Sequence, residues 1–518
     1  MELLITLYAL SLATVVVLIW FHSKAGIVRA GDKSKHEKRR RLPPGPWTLP
    51  IIGSIHHVVR GLGHRTMMEL SRRHGPLMFL RLGEVPTLVV SSAEAAELVM
   101  KTHDLAFCSR PTTSVTIDIV GCKGKGLGFA PYGDRLIQMK KIVVVELLCA
   151  AQVKRIESIM ADEVGRLLRS VAAAGGAGTG GVVNISDEVK ALAPDLVARA
   201  MFGGNCAEKS DFIRRYNEVS ELVSGFFLVD LFPSSRLVRW LSIGERRLLR
   251  SYGGIQRIIA TIIESRKAAS TSKCSLDHED LLGVLLRLQK EGSLAFPLTS
   301  EIIGAVMFDI FGGATTTLGS TLEWAMSELI KKPETMKKAQ QEIRSVLGQS
   351  RRGVITNTDL VGLSYLRMVI KEVLRLHPPN PLLVPRESRE DCEVMGYHIP
   401  KGTKVLVNAF AISRDARYWN NPEDFSPERF ENNNVDYKGT DFEFTPFGAG
   451  RRRCPAIMFA TSTLEIALAN LLYHFDWALP DGVSPEMVDM SEQYGMGVTK
   501  KLDLHLRAIP YVPPSTVA

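Results

Sequence analysis

The segment Pro446-Phe447-Gly448-Ala449-Gly450-Arg451-Arg452-Arg453-Cys454-Pro455-Ala456 decides how this chain is read. Glycines leave backbone amides accessible, three arginines precede one cysteine, and an apolar helical run over 457–472 follows at once. Cationic neighbours and a helix N-terminus both favour thiolate over thiol. A thiolate held this way suits either a nucleophile or an iron ligand. The nucleophile needs a base, and no histidine stands nearby; the ligand needs none. A turn around an inert buried cysteine would not require the cations.

The other cysteines, at 108, 122, 149, 206, 274 and 392, are scattered and form no zinc-type spacing. An odd total of seven suits a reducing compartment, with most of them acting as small buried hydrophobes. The 518 residues are 45% apolar and 23% charged, which excludes a disordered chain and a small stapled scaffold.

Long helical patterns dominate. Apolar residues recur at helical spacing over 300–332, with Thr299 and Glu301 at the start and Lys331-Lys332-Pro333 at the end. At 1.5 Å per residue this spans about 50 Å, enough to run through the middle of a large domain. A second helix is expected over 363–376, stopped by Pro378-Pro379. Short β patterns fall at 77–82, 87–90, 394–399 and 404–408. The expected fold is mainly α with small β-sheets, in one large domain. The glycine-rich patch at 172–181 lacks a preceding strand and a following Lys-Ser/Thr, so it reads as a surface loop and not a phosphate cradle.

Residues 3–21 are uncharged and apolar, long enough to cross a bilayer. A cleaved signal peptide would have basic residues before its apolar stretch; here Glu2 leads and the basic block follows. That block, 22–42, holds eight Lys/Arg against Asp32 and Glu37, which is +6 of the chain's net +9. The expected organisation is a transmembrane anchor at 1–22, a basic juxtamembrane linker at 23–42, and a domain over 43–518 entered through the proline-rich hinge 43–50. By the positive-inside rule the domain faces the cytosol, and the nearly neutral body gives no reason to expect nucleic acid.

Phe447-x-x-Gly450-x-Arg452-x-Cys454 resembles the haem-binding signature of the cytochrome P-450 enzymes. Glu372-Val373-Leu374-Arg375 is similar to that family's ExxR pair and Pro427-Glu428-Arg429-Phe430 to its PERF segment. Gly312-Gly313-Ala314-Thr315-Thr316-Thr317 falls where the oxygen-activation motif belongs. The motifs stand in family order from residue 1 to about 510. Phe129-Ala130-Pro131-Tyr132-Gly133 and Pro385-Arg386-Glu387 further resemble plant microsomal members.

The resemblance implies haem b, iron protoporphyrin IX, with Cys454 as axial iron ligand and Phe447 packed beside the sulfur. Arg452 and Arg386 are implied propionate partners, and Glu372, Arg375 and Arg429 a buried ionic group. Thr317 is implied to deliver protons to dioxygen, although a helix threonine commonly just bonds a preceding carbonyl. Thr316 stands where the family has an acid. Leu136 and Lys140 stand in the WxxxR segment, which makes Lys140 a point charge toward a propionate in place of a planar fork. Ala456 replaces a glycine.

The implied activity is that of a haem-thiolate monooxygenase acting on a lipophilic small molecule, such as a plant terpenoid or other specialised metabolite. No dinucleotide module is visible, so NADPH electrons would arrive through a separate reductase. The implied location is the endoplasmic reticulum membrane. Substrate contacts are implied at 108–122, 224–231, 306–314, 381–384 and 494–498. Two alternatives stay open: a haem-thiolate isomerase or dehydratase needing no reductase, and a haem-binding protein with little catalysis. Lys140, Lys141, Arg451 and Arg453 are candidates for a basic docking face.

Overall fold

The computed structural model describes residues 41–148, 150–176, 181–203, 206–223, 227–269, 280–292, 294, 296–348, 353–495 and 497–512. The anchor expected at 1–22 and nearly all of the linker at 23–42 lie outside these residues, as do Cys149, Cys274, Phe226 and Met496.

The central helix, Ser300–Lys331, passes through the largest hydrophobic cluster. Its start is fixed by Thr299, whose side chain accepts from the Ile302 amide, and Pro333 opens the next helix, Pro333–Leu347. Among the described residues it alone has the length and apolarity of a membrane span, yet most of it is buried by protein. It packs on Ile185–Phe202, Ile243–Ala269 and Ile457–His474. Its apolar residues surround it because other helices pack on several of its sides.

The helix expected over 363–376 forms as Ser364–Leu376. Its first turn is capped from outside, by the Glu342 carboxylate accepting from the Tyr365 and Leu366 amides at 2.7 and 2.9 Å.

The main sheet joins Leu77–Leu82, Val85–Val90, Lys404–Val407 and Arg386–Glu387 in that order, with Val85–Val90 and Lys404–Val407 parallel. The run 394–399, expected as one strand, is instead a hairpin of Cys392–Val394 and Tyr397–Ile399. Met395 and Gly396 both have positive φ, the geometry of a tight two-residue turn, which alternation of side chains alone does not reveal. The hinge 43–50 is non-helical; Pro43 and Pro46 are buried, and Phe79 donates its amide to the Pro44 carbonyl. Gly45 lies so close to Phe79 that a Cβ would stand 2.0 Å from its carbonyl oxygen.

Candidate active site

Cys454 is held by a tight turn. Its amide donates to the Phe447 carbonyl at 3.0 Å, and Gly448 and Gly450 take φ of 66° and 67°. A Cβ at Gly450 would lie 2.1 Å from the Met100 carbonyl oxygen, so this position tolerates only glycine. The helix Ile457–His474 starts three residues later, and the Ala456 amide donates toward the sulfur. Ala456 has φ −100° and ψ 21°, which any residue adopts, so its methyl carries no backbone strain.

The arginines do not surround the sulfur as expected from sequence. Arg451 is turned to Asp104 and the Tyr132 hydroxyl, and Arg453 to the Lys438 carbonyl. Burial therefore dominates and pushes the Cys454 thiol up, opposed by the Ala456 amide, Lys140 and Arg453. The residue is half-buried by its surface, and the protein packed around it decides the direction. A metal ion coordinated here would offset that push, since its charge deprotonates a thiol ligand.

Lys140 reaches the same turn from the helix Asp134–Ile142. Its ammonium donates to the carbonyls of Arg451 at 2.7 Å and Arg453 at 3.2 Å. Burial and the neighbouring Arg452 and Arg453 lower it to about 8. Leu136 is buried. Phe447 is half-buried, with its ring edge-on to Tyr437.

Arg386 is 4% exposed and donates to Asp104 at 3.0 Å and to the Ala449 carbonyl at 2.8 Å. Arg452 donates to the carbonyls of Cys108 and Ala130. Beside them stands a third guanidinium that sequence reasoning did not single out. Arg110, 6% exposed, donates to the carbonyls of Gly128, Val384 and Pro385. Burial, then Arg452 and Arg386, push Arg110 well below its ordinary value. Burial, opposed by Cys108 and reinforced by Arg386, lowers Arg452 to about 10. Three guanidiniums so placed, of which, among the described residues, Arg386 alone pairs with a carboxylate, that of Asp104, call for anionic groups. Haem b brings two propionates, so the residues present fit the cofactor, and Cys454 would be its sulfur donor.

Glu372 and Arg375 are fully buried and joined by two parallel bonds; Arg429 adds a third, Nε to Oε1 of Glu372 at 2.9 Å. Arg375 also donates to the carbonyls of Ser413, Pro422 and Asp424. The group ties the helix Ser364–Leu376 to the segment 413–430 that leads into the Cys454 turn.

On the central helix, Thr317 Oγ1 donates to the Gly313 carbonyl at 2.7 Å. Gly313 is exposed, and a Cβ there would meet nothing within 4 Å, so no other element packs against the helix at this point. Thr316 faces elsewhere. Its hydroxyl pairs with the buried Tyr216, and its methyl lies 3.5 Å from where a Cβ of Gly497 would stand. Val498 donates to the Pro379 carbonyl, and Ser320 to the Val498 carbonyl, docking this hairpin on the central helix. Of the other segments expected to meet substrate, Leu383 reaches toward Gly448 of the Cys454 turn. Phe227 instead packs against Gly244, and Asp230 accepts from Ser114 and Thr116.

Asp309 is the other residue that motif reading passed over, since no pattern marks a lone acid on an apolar helix. It accepts from the Leu127 and Gly128 amides through one oxygen. Burial pushes it up to about 6, against those amides and Arg110.

Comparison with known proteins agrees with this geometry. The family model for cytochrome P450 matches residues 43–506. An ent-isokaurene C2/C3-hydroxylase of Oryza sativa subsp. japonica is 46% identical over 93% of this chain and 95% of its own length. A 5-epiaristolochene 1,3-dihydroxylase of Nicotiana tabacum is 43% identical over 93% and 95%. A zebra fish cytochrome P450 solved with progesterone superposes with TM-score 0.73 at 24% identity, covering 86% of this chain and 99% of its own, and shares the fold. This chain belongs to the cytochrome P450 family and is a haem-thiolate monooxygenase.

Proposed function

We propose that the enzyme hydroxylates a terpenoid-type lipophile beside the Cys454 turn and the central helix, with electrons from a separate NADPH-dependent reductase. The observation that carries this reading is the joint placement of the Cys454 turn with the buried guanidiniums of Arg110, Arg386 and Arg452. When bound, the haem supplies dioxygen activation at its iron. Cys454 would ligate that iron, and the guanidiniums would hold the propionates. Thr317 holds its hydroxyl proton at Oγ1, donated to the Gly313 carbonyl, and once that bond opens the intact O–H is free to donate a hydrogen bond into the site. Thr316 carries no charge; the Tyr216 hydroxyl orients it. A hydroxyl pair therefore stands where an acid would otherwise supply protons.

The names of the relatives support the substrate class, because they include hydroxylases of ent-isokaurene, ent-cassadiene and 5-epiaristolochene. Residues 1–22 serve as a single anchor in the endoplasmic reticulum membrane, the domain facing the cytosol, since the block at 22–42 is strongly basic. The exposed Lys141, Arg451 and Arg453 supply positive charge for reductase docking on the cysteine side.

The test is the product profile after co-expression with a plant reductase in cells fed terpenoid precursors. Hydroxylated products are expected. Turnover without reductase, giving rearranged and not oxygenated products, would replace this reading with an isomerase. Glycosylation at Asn184-Ile185-Ser186 would reverse the orientation.

A further inference from the structure

Gly253 and Gly254 stand together in the middle of the helix Ile243–Ala269. Glycine weakens a helix interior relative to alanine, so the pair needs a structural reason. At Gly254 the reason is Arg215 of the helix Lys209–Val223. A Cβ there would stand 2.7 Å from Nη1 of Arg215, so the guanidinium lies against bare backbone. At Gly253 a Cβ would meet nothing within 4 Å. That position borders a surface cavity of about 400 Å³, also lined by Arg215, Leu249, Arg250, Ser251 and Arg257. Residues 250, 253, 254 and 257 share one stripe of the helix, so its two arginines flank the glycines that Arg215 reaches from the neighbouring helix.

All three guanidiniums are held through Nε. Arg250 donates it to the Arg246 carbonyl at 3.3 Å, Arg257 to the Gly253 carbonyl at 3.3 Å, and Arg215 to Asp211 at 3.1 Å. Among the described residues, their Nη groups meet no acceptor within hydrogen-bond distance. The local carboxylates are committed: Asp211 is shared by Arg214 and Arg215, and Glu218 takes Arg214. Arg250 and Arg257 therefore stand as two charges with no carboxylate partner among the described residues. A second surface cavity, of about 430 Å³, gives the contrast. It too is lined by three arginines, Arg166, Arg169 and Arg199, but Glu163 pairs with Arg166 and Arg199, and Asp162 with Arg199. Its charge is largely balanced by the protein itself, whereas that of the first cavity is not.

We propose that the cavity between Arg215, Arg250 and Arg257 is a binding site for a phosphate monoester. Three guanidinium forks match three terminal oxygens, and a group carrying about −1.5 to −2 at pH 7 balances the two unpaired cations. A carboxylate offers only two oxygens and one charge. The cavity is larger than a phosphate alone, which leaves room for an organic part over Leu249. The same phosphate chemistry comes from a soluble ester or from a lipid headgroup. The site uses no residue of the Cys454 turn, so it stands apart from the monooxygenase reading.

The test is calorimetric titration of glycerol 3-phosphate into the haem-loaded full-length enzyme, held in phosphatidylcholine nanodiscs at low ionic strength. Saturable binding is expected. Arg250→Gln and Arg257→Gln should each weaken it about tenfold, through loss of hydrogen bonds between charged groups. Gly253→Leu keeps every cation but fills the cavity floor, and should weaken binding to a similar degree. Arg169→Gln removes a charge from the second cavity and should leave the affinity unchanged. Nanodiscs enriched in phosphatidic acid, compared with phosphatidylserine discs of equal charge, separate the two sources. Suppressed binding of glycerol 3-phosphate in the phosphatidic acid discs assigns the site to a lipid headgroup; unaltered binding assigns it to a soluble ester. Absence of saturable binding in phosphatidylcholine discs overturns the proposal. So does an equal weakening by Arg169→Gln, which would show that overall charge and not this cavity attracts the ligand.

Discussion

Arg375 grips Glu372 through two parallel bonds, Nε to Oε2 at 2.7 Å and Nη2 to Oε1 at 2.8 Å, and neither side chain has exposed surface. Removing one partner strands the other charge in the interior. Glu372→Gln or Arg375→Ala is expected to cost about 3–5 kcal/mol. Replacing both with apolar residues of similar volume should cost less than the two single changes added together. Haem content after purification and urea unfolding midpoints check this.

Glu492 supplies a pH dependence of stability. Burial pushes its carboxyl up, but hydrogen bonds from His64 and Arg65 outweigh this and hold it at about 2, below its ordinary 4.5. A depressed acid stabilises the fold fully above its unfolded value and loses that contribution as pH falls from 4.5 toward 2. At most about 3 kcal/mol is at stake, less the screening at half-exposed Arg65. Wild-type thermal stability should fall more steeply than that of Glu492→Gln between pH 5 and pH 3, about the window in which the unfolded carboxyl titrates.

Two glycines of the site should respond oppositely to alanine. Gly450→Ala places a methyl against the Met100 carbonyl at positive φ and should abolish haem incorporation. Gly313→Ala meets no neighbour and replaces a helix-interior glycine, so the fold should gain about 0.5–1 kcal/mol while bulky ligands bind less well. Calorimetry and ligand titration separate the two effects.

Lys140 stitches the Cys454 turn to the helix Asp134–Ile142 through two carbonyls. Lys140→Ala leaves these acceptors without their donor, a cost of about 1–3 kcal/mol. Faster haem transfer to an acceptor apoprotein is expected, with unchanged far-ultraviolet circular dichroism.

Thr317→Val keeps a β-branched side chain in the helix and removes the hydroxyl. Turnover should drop about a hundredfold or more with the loss of this positioned proton donor. Thr316→Asp should raise the fraction of electrons recovered in product, measured as product formed per NADPH consumed.

The turn at 446–456, the central helix and the Glu372/Arg375 pair were legible in the chain because each is local: glycine spacing, helical period and i,i+3 separation are properties of neighbours in sequence. The terminal proline stops and the Thr299 cap also depend on adjacent residues, which is why the helix limits came within a residue. The hairpin at 392–399 was not legible, since positive φ at Met395 is set by strand pairing and not by its side chain.

Side-chain direction was decided only by the tertiary structure. Composition places three arginines next to Cys454, but folding turns Arg451 to Asp104, Arg452 to Cys108 and Ala130, and Arg453 to Lys438, because each buried donor must meet an acceptor. Arg110 and Asp309 belong to no motif; they stand out because packing brings residues 110, 309 and 452, far apart in the chain, into one low-dielectric region where their charges act on one another. Sequence alone thus determined the fold and the turn that carries Cys454, while the charge balance around that turn arises from contacts that no local pattern encodes.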